Sequence, residues 1–119
     1  MSKHDPRVTL RQIEDHARLA QAICAGKALP DLLADRPAQL ALERALEILG
    51  EAVKRLPAEL LVGYPAVPWK LVAGMRDRLS HGYDEIRHDV LWNTVQQDIP
   101  ILLTTIEQML SDFDSTMEI

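Results

Sequence analysis

Apolar residues return every three or four positions along four stretches of this chain, and prolines stand at the junctions between them. That spacing puts the apolar positions on one side of a helix, whereas a half-buried strand needs strict alternation. Leu10, Ile13, Ala17, Ala20 and Cys24 predict a first helix. It should start at Asp5-Pro6, because Asp caps well and Pro suits a first turn that needs no N–H donor. Gly26 and the Pro30 region predict its end. Leu42, Ala45, Leu49, Ala52, Val53 and Leu56 predict a second helix from Asp35, with Pro37 in its first turn and Pro57 as its interruption. Residues 57–61 can add one short helical turn. Tyr64-Pro65-Ala66-Val67-Pro68 is no regular helix, since each proline holds its predecessor extended. Trp69, Val72, Ala73, Arg76 and Leu79 predict a short third helix from Trp69 to Ser80, closed by Gly82. Leu91, Val95, Ile99, Leu102, Ile106, Met109 and Phe113 predict a fourth over 88–112. The expected fold is all-α: an antiparallel bundle of four to five helices, the last kinked at Pro100.

Length and composition narrow the classes. A chain of 119 residues, 47% of them hydrophobic, has enough apolar surface for one core, so a single domain over 1–119 is expected. The lone cysteine, Cys24, permits no internal disulfide and no multi-cysteine metal site. The polar start, Met1 to Arg7, is unlike a signal peptide, and the longest apolar run, Leu60 to Trp69, contains Pro65 and Pro68. A soluble cytoplasmic protein without a membrane partner is expected. The net charge of −5 is uneven. Residues 89–119 carry six acids and no Lys or Arg, leaving 13 basic against 12 acidic residues in 1–88. Any phosphate-facing surface should therefore be local and lie in the first three quarters of the chain.

The chemistry concentrates in Arg76-Asp77-Arg78-Leu79-Ser80-His81-Gly82-Tyr83. Arg76 shares the apolar face of the third helix, where a cation is costly unless paired or used. It either pairs with an acid such as Glu51 or holds a phosphate. His81 either meets the helix's last carbonyls or serves as acid and base near neutral pH. Tyr83 is a packing residue with a wet hydroxyl or a site of control. Together, Arg and His can cleave RNA without a metal. His takes a proton from a ribose 2′-hydroxyl or gives one to the leaving 5′-oxygen, and Arg stabilises the charge on phosphate. Five residues span about 140° of a regular helix, so Arg76 and His81 converge only if the helix ends there or a second copy supplies one of them. Ser80 can add a hydrogen bond, and Asp77 can orient His81 or pair with Arg78. Arg78, Arg87 and His88 extend a small basic patch or stay solvated. Trp69 and Trp92 read as core. No Gly-rich phosphate loop, metalloprotease motif or base-stacking platform is present, and neither metal nor cofactor is expected.

The spacing Arg76-x4-His81-x-Tyr83 resembles the signature of HepT toxins in the HEPN superfamily. Glu47-Ile48-Leu49-Gly50-Glu51-Ala52, Tyr64-Pro65-Ala66-Val67-Pro68-Trp69, Gly74-Met75-Arg76, Val90-Leu91-Trp92 and Asp98-Ile99-Pro100 are similar to the family's surrounding segments. The resemblance covers roughly residues 5–112. It implies a HEPN helical bundle, a homodimer whose two motifs face a shared cleft, and Arg76 and His81 as the catalytic pair of a metal-independent endoribonuclease toxin. It also implies a partner antitoxin, a minimal nucleotidyltransferase of the MntA type, that transfers AMP from ATP onto Tyr83 and so blocks RNA. Glu51, Asp77 and Ser80 would support the pair. Asp77 stands where the family often has Asn, and Asp84 where it often has an aromatic residue. The alternative within the superfamily is a non-catalytic bundle that binds nucleotides or proteins.

Overall fold

Two aspartates set the starts of the two long N-terminal helices. In the computed structural model, which describes residues 5–81 and 86–117 and only the backbone at 80, 81, 116 and 117, helix α1 spans Pro6–Cys24. The Asp5 carboxylate accepts the Arg7 N–H at 2.9 Å. Gly26 follows at φ +72, the left-handed region that favours glycine, and ends α1 as its position predicts. The Pro30 region does more than the terminator expected of it: Leu29–Leu33 forms a short helix, α2, with Pro30 in its first turn. The Asp31 carboxylate accepts the Ala28 N–H at 2.8 Å, and Leu32 is fully buried. Helix α3, Arg36–Lys54, is capped by Asp35, whose carboxylate accepts the Ala38 N–H at 3.1 Å. Ala58–Leu61 makes the short turn α4, and Trp69–His81 makes α5.

The last helical run is continuous but not uniform. Helix α6, His88–Asn93, passes through a π-helical turn, Thr94–Asp98, into α7, Ile99–Met117. Pro100 has no N–H, and its ring opposes the carbonyl four residues back. Widening the turn, with the Ile99 N–H donating to the Thr94 carbonyl, relieves that conflict. The irregularity expected at Pro100 thus takes the form of a π turn just ahead of it. The run also continues to Met117, past the expected end at 112.

The predicted stripes meet in one core. Leu10, Ile13, Leu42, Leu49, Ile99, Ile106 and Met109 are buried together, with Phe113 and Trp92 packed at its edge. Trp69 is buried, and its indole N–H donates to the Tyr64 carbonyl at 2.9 Å, which fixes the proline-bounded segment before α5. Helix α1 runs antiparallel to α3, because Gln12 near its start meets Arg55 just past the end of α3. It also runs antiparallel to α7. Arg18 pairs with Glu107 at 2.7 Å, while Gln21 and Cys24 lie beside Val95 and Pro100. Among the described residues, no helix is long and apolar enough to cross a membrane.

One polar clasp ties α6 to α3. His88 Nε2 lies 2.6 Å from Glu43 Oε2, with the side chains only 15% and 16% exposed, and Arg36 approaches Glu43 at 3.7 Å. A largely buried pair is worth most when one partner is removed, since the other loses its hydrogen bond without regaining water. His88→Ala is therefore expected to cost about 2 kcal/mol of stability, measured by urea unfolding. An unchanged midpoint would show that water replaces the clasp.

Candidate active site

Helices α3 and α5 cross with their backbones in contact. A Cβ at Gly50 would lie 2.9 Å from both the Arg76 amide nitrogen and the Val72 carbonyl oxygen, and 3.3 Å from Arg76 Cβ. No flexible side chain intervenes that could yield. Gly50 therefore lets the α5 backbone rest on α3 and fixes Arg76 against the polar edge of α3.

Glu51 is the next residue along α3. Its Oε2 sits 3.1 Å from Arg76 Nε. Arg76 Nη1 lies 3.3 Å from Asp77 Oδ1, which Lys54 Nζ approaches at 3.5 Å. The Arg76 hydrogen bond holds the Asp77 carboxyl below its ordinary range, with Lys54 adding to the effect, so Asp77 is ionised at neutral pH. The expected Arg76–Glu51 pairing is present, but not the buried form of it: the two side chains are 36% and 45% exposed. Water screens such a pair, and its stabilisation is about 0–1 kcal/mol. Stability alone gives little reason for Arg76 to be there.

The guanidinium borders a polar groove of about 350 Å³ between α1, α3 and α5. Gln12, Arg44, Glu47, Glu51, Arg55 and Arg76 line it. Arg44 pairs with Glu47 at 2.9 Å. Positions 44, 47, 51 and 55 fall at helical spacing, so they form the polar edge of the helix whose other side carries the apolar stripe. Arg44 and Arg55 share a helical spacing visible in the sequence, whereas Gly50 and Gln12 join the site only through the packing of α5 and α1 on α3.

The remaining expected residues divide. Position 81 closes α5, so 76 and 81 lie on one continuous helix, about 140° apart round its axis. Of Ser80 and His81 only the backbone is described, and Gly82, Tyr83 and Asp84 lie outside the described residues. The basic patch anticipated from Arg78, Arg87 and His88 is assembled only in part. Arg87 pairs with Asp89 at 2.6 Å, and His88 pairs with Glu43. Arg78 and Arg87 border one mostly apolar groove, with Met75, Leu79 and Val90, away from the Arg76 groove. Among the described residues, no three His, Cys, Asp or Glu side chains converge on a point that could hold a metal.

Comparison with known proteins gives the family. The family model described as "Ribonuclease HepT-like" matches residues 13–109. The Methanocaldococcus jannaschii protein named "Putative RNase MJ0127" is 34% identical over 118 residues, covering 99% of this chain and 98% of that protein. "Probable ribonuclease HepT" of Thermococcus cleftensis is 38% identical over 100 residues, covering 84% and 91%. "Putative RNase TTE0752" of Caldanaerobacter subterraneus is 36% identical over 105 residues, covering 88% and 94%. No solved structure matches the chain. The chain belongs to the ribonuclease HepT-like family and, with it, to the endoribonucleases.

Proposed function

We propose that this chain is a metal-independent endoribonuclease toxin that works as a homodimer, with Arg76 and His81 as its catalytic residues. The observation that carries the reading is the Arg76 guanidinium itself. It is seated by backbone contact at Gly50, oriented through Nε by Glu51, and open to a groove rather than sealed in the core. With Nε on Glu51 and Nη1 on Asp77, the guanidinium still offers Nη2 to a phosphate.

In the proposed reaction His81 removes the proton from a ribose 2′-hydroxyl. The 2′-oxygen attacks the adjacent phosphorus, and the bond to the 5′-oxygen breaks. A protonated His81, from the same or the second copy, gives that oxygen its proton. Arg76 stabilises the charge gathered on the non-bridging oxygens. The second copy answers the geometry of α5. Positions 76 and 81 diverge round one helix, and a two-fold cleft brings one copy's arginine towards the other's histidine. The products are a 2′,3′-cyclic phosphate and a 5′-hydroxyl. Mass spectrometry of cleaved RNA checks this. A 3′-hydroxyl and a 5′-phosphate on the fragments would reject the mechanism.

Control is proposed to run through Tyr83 and a minimal nucleotidyltransferase antitoxin. The tyrosine hydroxyl attacks the α-phosphorus of ATP, a phosphodiester forms, and pyrophosphate leaves. The added AMP brings bulk and negative charge beside Arg76 and so excludes RNA. Co-expression with such an enzyme is expected to add AMP masses to the wild type and none to Tyr83→Phe, read by intact mass. Equal adducts on both would place the modification elsewhere. A non-catalytic binding module is the second reading. Its support is Asp77, an ionised carboxylate that occupies one guanidinium nitrogen and competes with phosphate.

A further inference from the structure

The polar groove holds three arginines, and their partners differ in kind. Arg76 meets Glu51, and Arg44 meets Glu47. Arg55 is held by Gln12 instead: its Nη2 donates to the amide oxygen Oε1, from α3's end across to α1. A neutral amide fixes a guanidinium in place without cancelling its charge. Among the described residues, Arg55 is the groove arginine with no carboxylate within ion-pair distance. It is also exposed, and most of its five N–H donors remain for a ligand.

We propose that Arg55, positioned by Gln12 and flanked by Arg44, is a second phosphate-binding subsite that holds the RNA backbone beside the phosphate at Arg76. The inference rests on the ribonuclease reading and adds to it the path of the substrate. Arg55 follows Glu51, the residue that holds Arg76, by one helical turn, about 6 Å along α3. Both guanidinium groups border the same groove, so a single strand crossing it passes from one to the other. Glu47 and Glu51 stand between the cations along α3. They keep the arginines as separate sites rather than one diffuse basic surface. The groove draws only on residues 12–76, clear of the acid-rich stretch 89–119. A contact of this kind reads phosphate and not base, so it adds affinity uniformly across sequences.

The test is binding of a fluorescein-labelled single-stranded RNA of mixed sequence, followed by anisotropy over a range of salt. His81→Ala protein is used so that the RNA stays intact, and wild-type cleavage is measured in parallel. Arg55→Gln is expected to weaken binding roughly tenfold and to flatten the slope of log affinity against log salt by about 0.7, one phosphate contact on a single strand. Arg55→Lys should recover much of the loss. Arg18→Gln, whose side chain pairs with Glu14 and Glu107 outside the groove, should change nothing. Cleavage by wild type with unchanged affinity and salt slope in Arg55→Gln would overturn the subsite and leave the ribonuclease standing. Weakened binding in Arg55→Gln without cleavage by wild type would keep the subsite and remove the ribonuclease. No RNA binding by either protein would remove both.

Discussion

Arg76→Ala is expected to lower RNA cleavage by about two to three orders of magnitude while moving the thermal midpoint by only a few degrees. The first figure is the usual loss when one fixed donor to a developing oxyanion is removed. The second follows from the exposure of the Arg76–Glu51 pair, which water screens to about 0–1 kcal/mol. Single-turnover cleavage and a thermal melt on the same preparation separate the two. A stability loss near 3–5 kcal/mol would mark Arg76 as a buried structural cation, against its placement at the groove. Asp77→Asn belongs to the same series. Removing the charge that competes at Nη1 should tighten RNA binding, because a neutral amide oxygen opposes a phosphate less than a carboxylate does.

Gly50→Ala carries the largest expected structural effect for the smallest chemical change. In most helices a glycine-to-alanine exchange stabilises by about 0.5–1 kcal/mol, since alanine restricts the unfolded chain. Here the new methyl would meet the backbone nitrogen of Arg76 and the carbonyl of Val72 at 2.9 Å. Neither is the end of a flexible side chain, so α5 must move away from α3. Overpacking of this kind costs about 1–3 kcal/mol, or roughly 4–12 °C in melting midpoint for a chain of this size. Cleavage should fall further than stability alone explains, because the displaced backbone is that of Arg76 itself. An ångström of misplacement can cost about a hundredfold in rate. Melting by circular dichroism and cleavage well below the new midpoint check both halves. A stabilised Gly50→Ala with full activity would mean that the two helices do not touch as described.

The sequence showed the long helices plainly because their signals are local. Asp5-Pro6 and Asp35 cap the helices they precede, and the apolar stripes name most of the buried positions of α1, α3 and α7 while missing Leu46, Leu103 and Leu110. Helix α2 was illegible. Five residues are too few for a stripe, and Pro30 reads as a stop before it reads as a start. The conflict at Pro100 was visible in the residue, but its resolution as a π turn was not, since the turn and α7 pack on α1 while α6 packs on α2 and α3. Within the site, the Arg76–Glu51 pairing could be named from the sequence because both residues carry charge near one junction. Gly50 could not, since its meaning lies in which backbone approaches it. Arg55 and Gln12 come from different helices, and only the antiparallel packing of α1 on α3 joins them. The proposed roles of His81 and Tyr83 rest on their motif spacing alone.

Cleavage of RNA by Arg76 and His81 without a metal is open to a single direct experiment. Purified protein, first shown by intact mass to carry no AMP, is incubated with labelled total cellular RNA in excess EDTA, with His81→Ala and Arg76→Ala alongside. Discrete cleavage by the wild type, undiminished by EDTA, is expected, with its loss in both variants while their folds remain intact. Cleavage that EDTA abolishes, or that persists in His81→Ala, would contradict it.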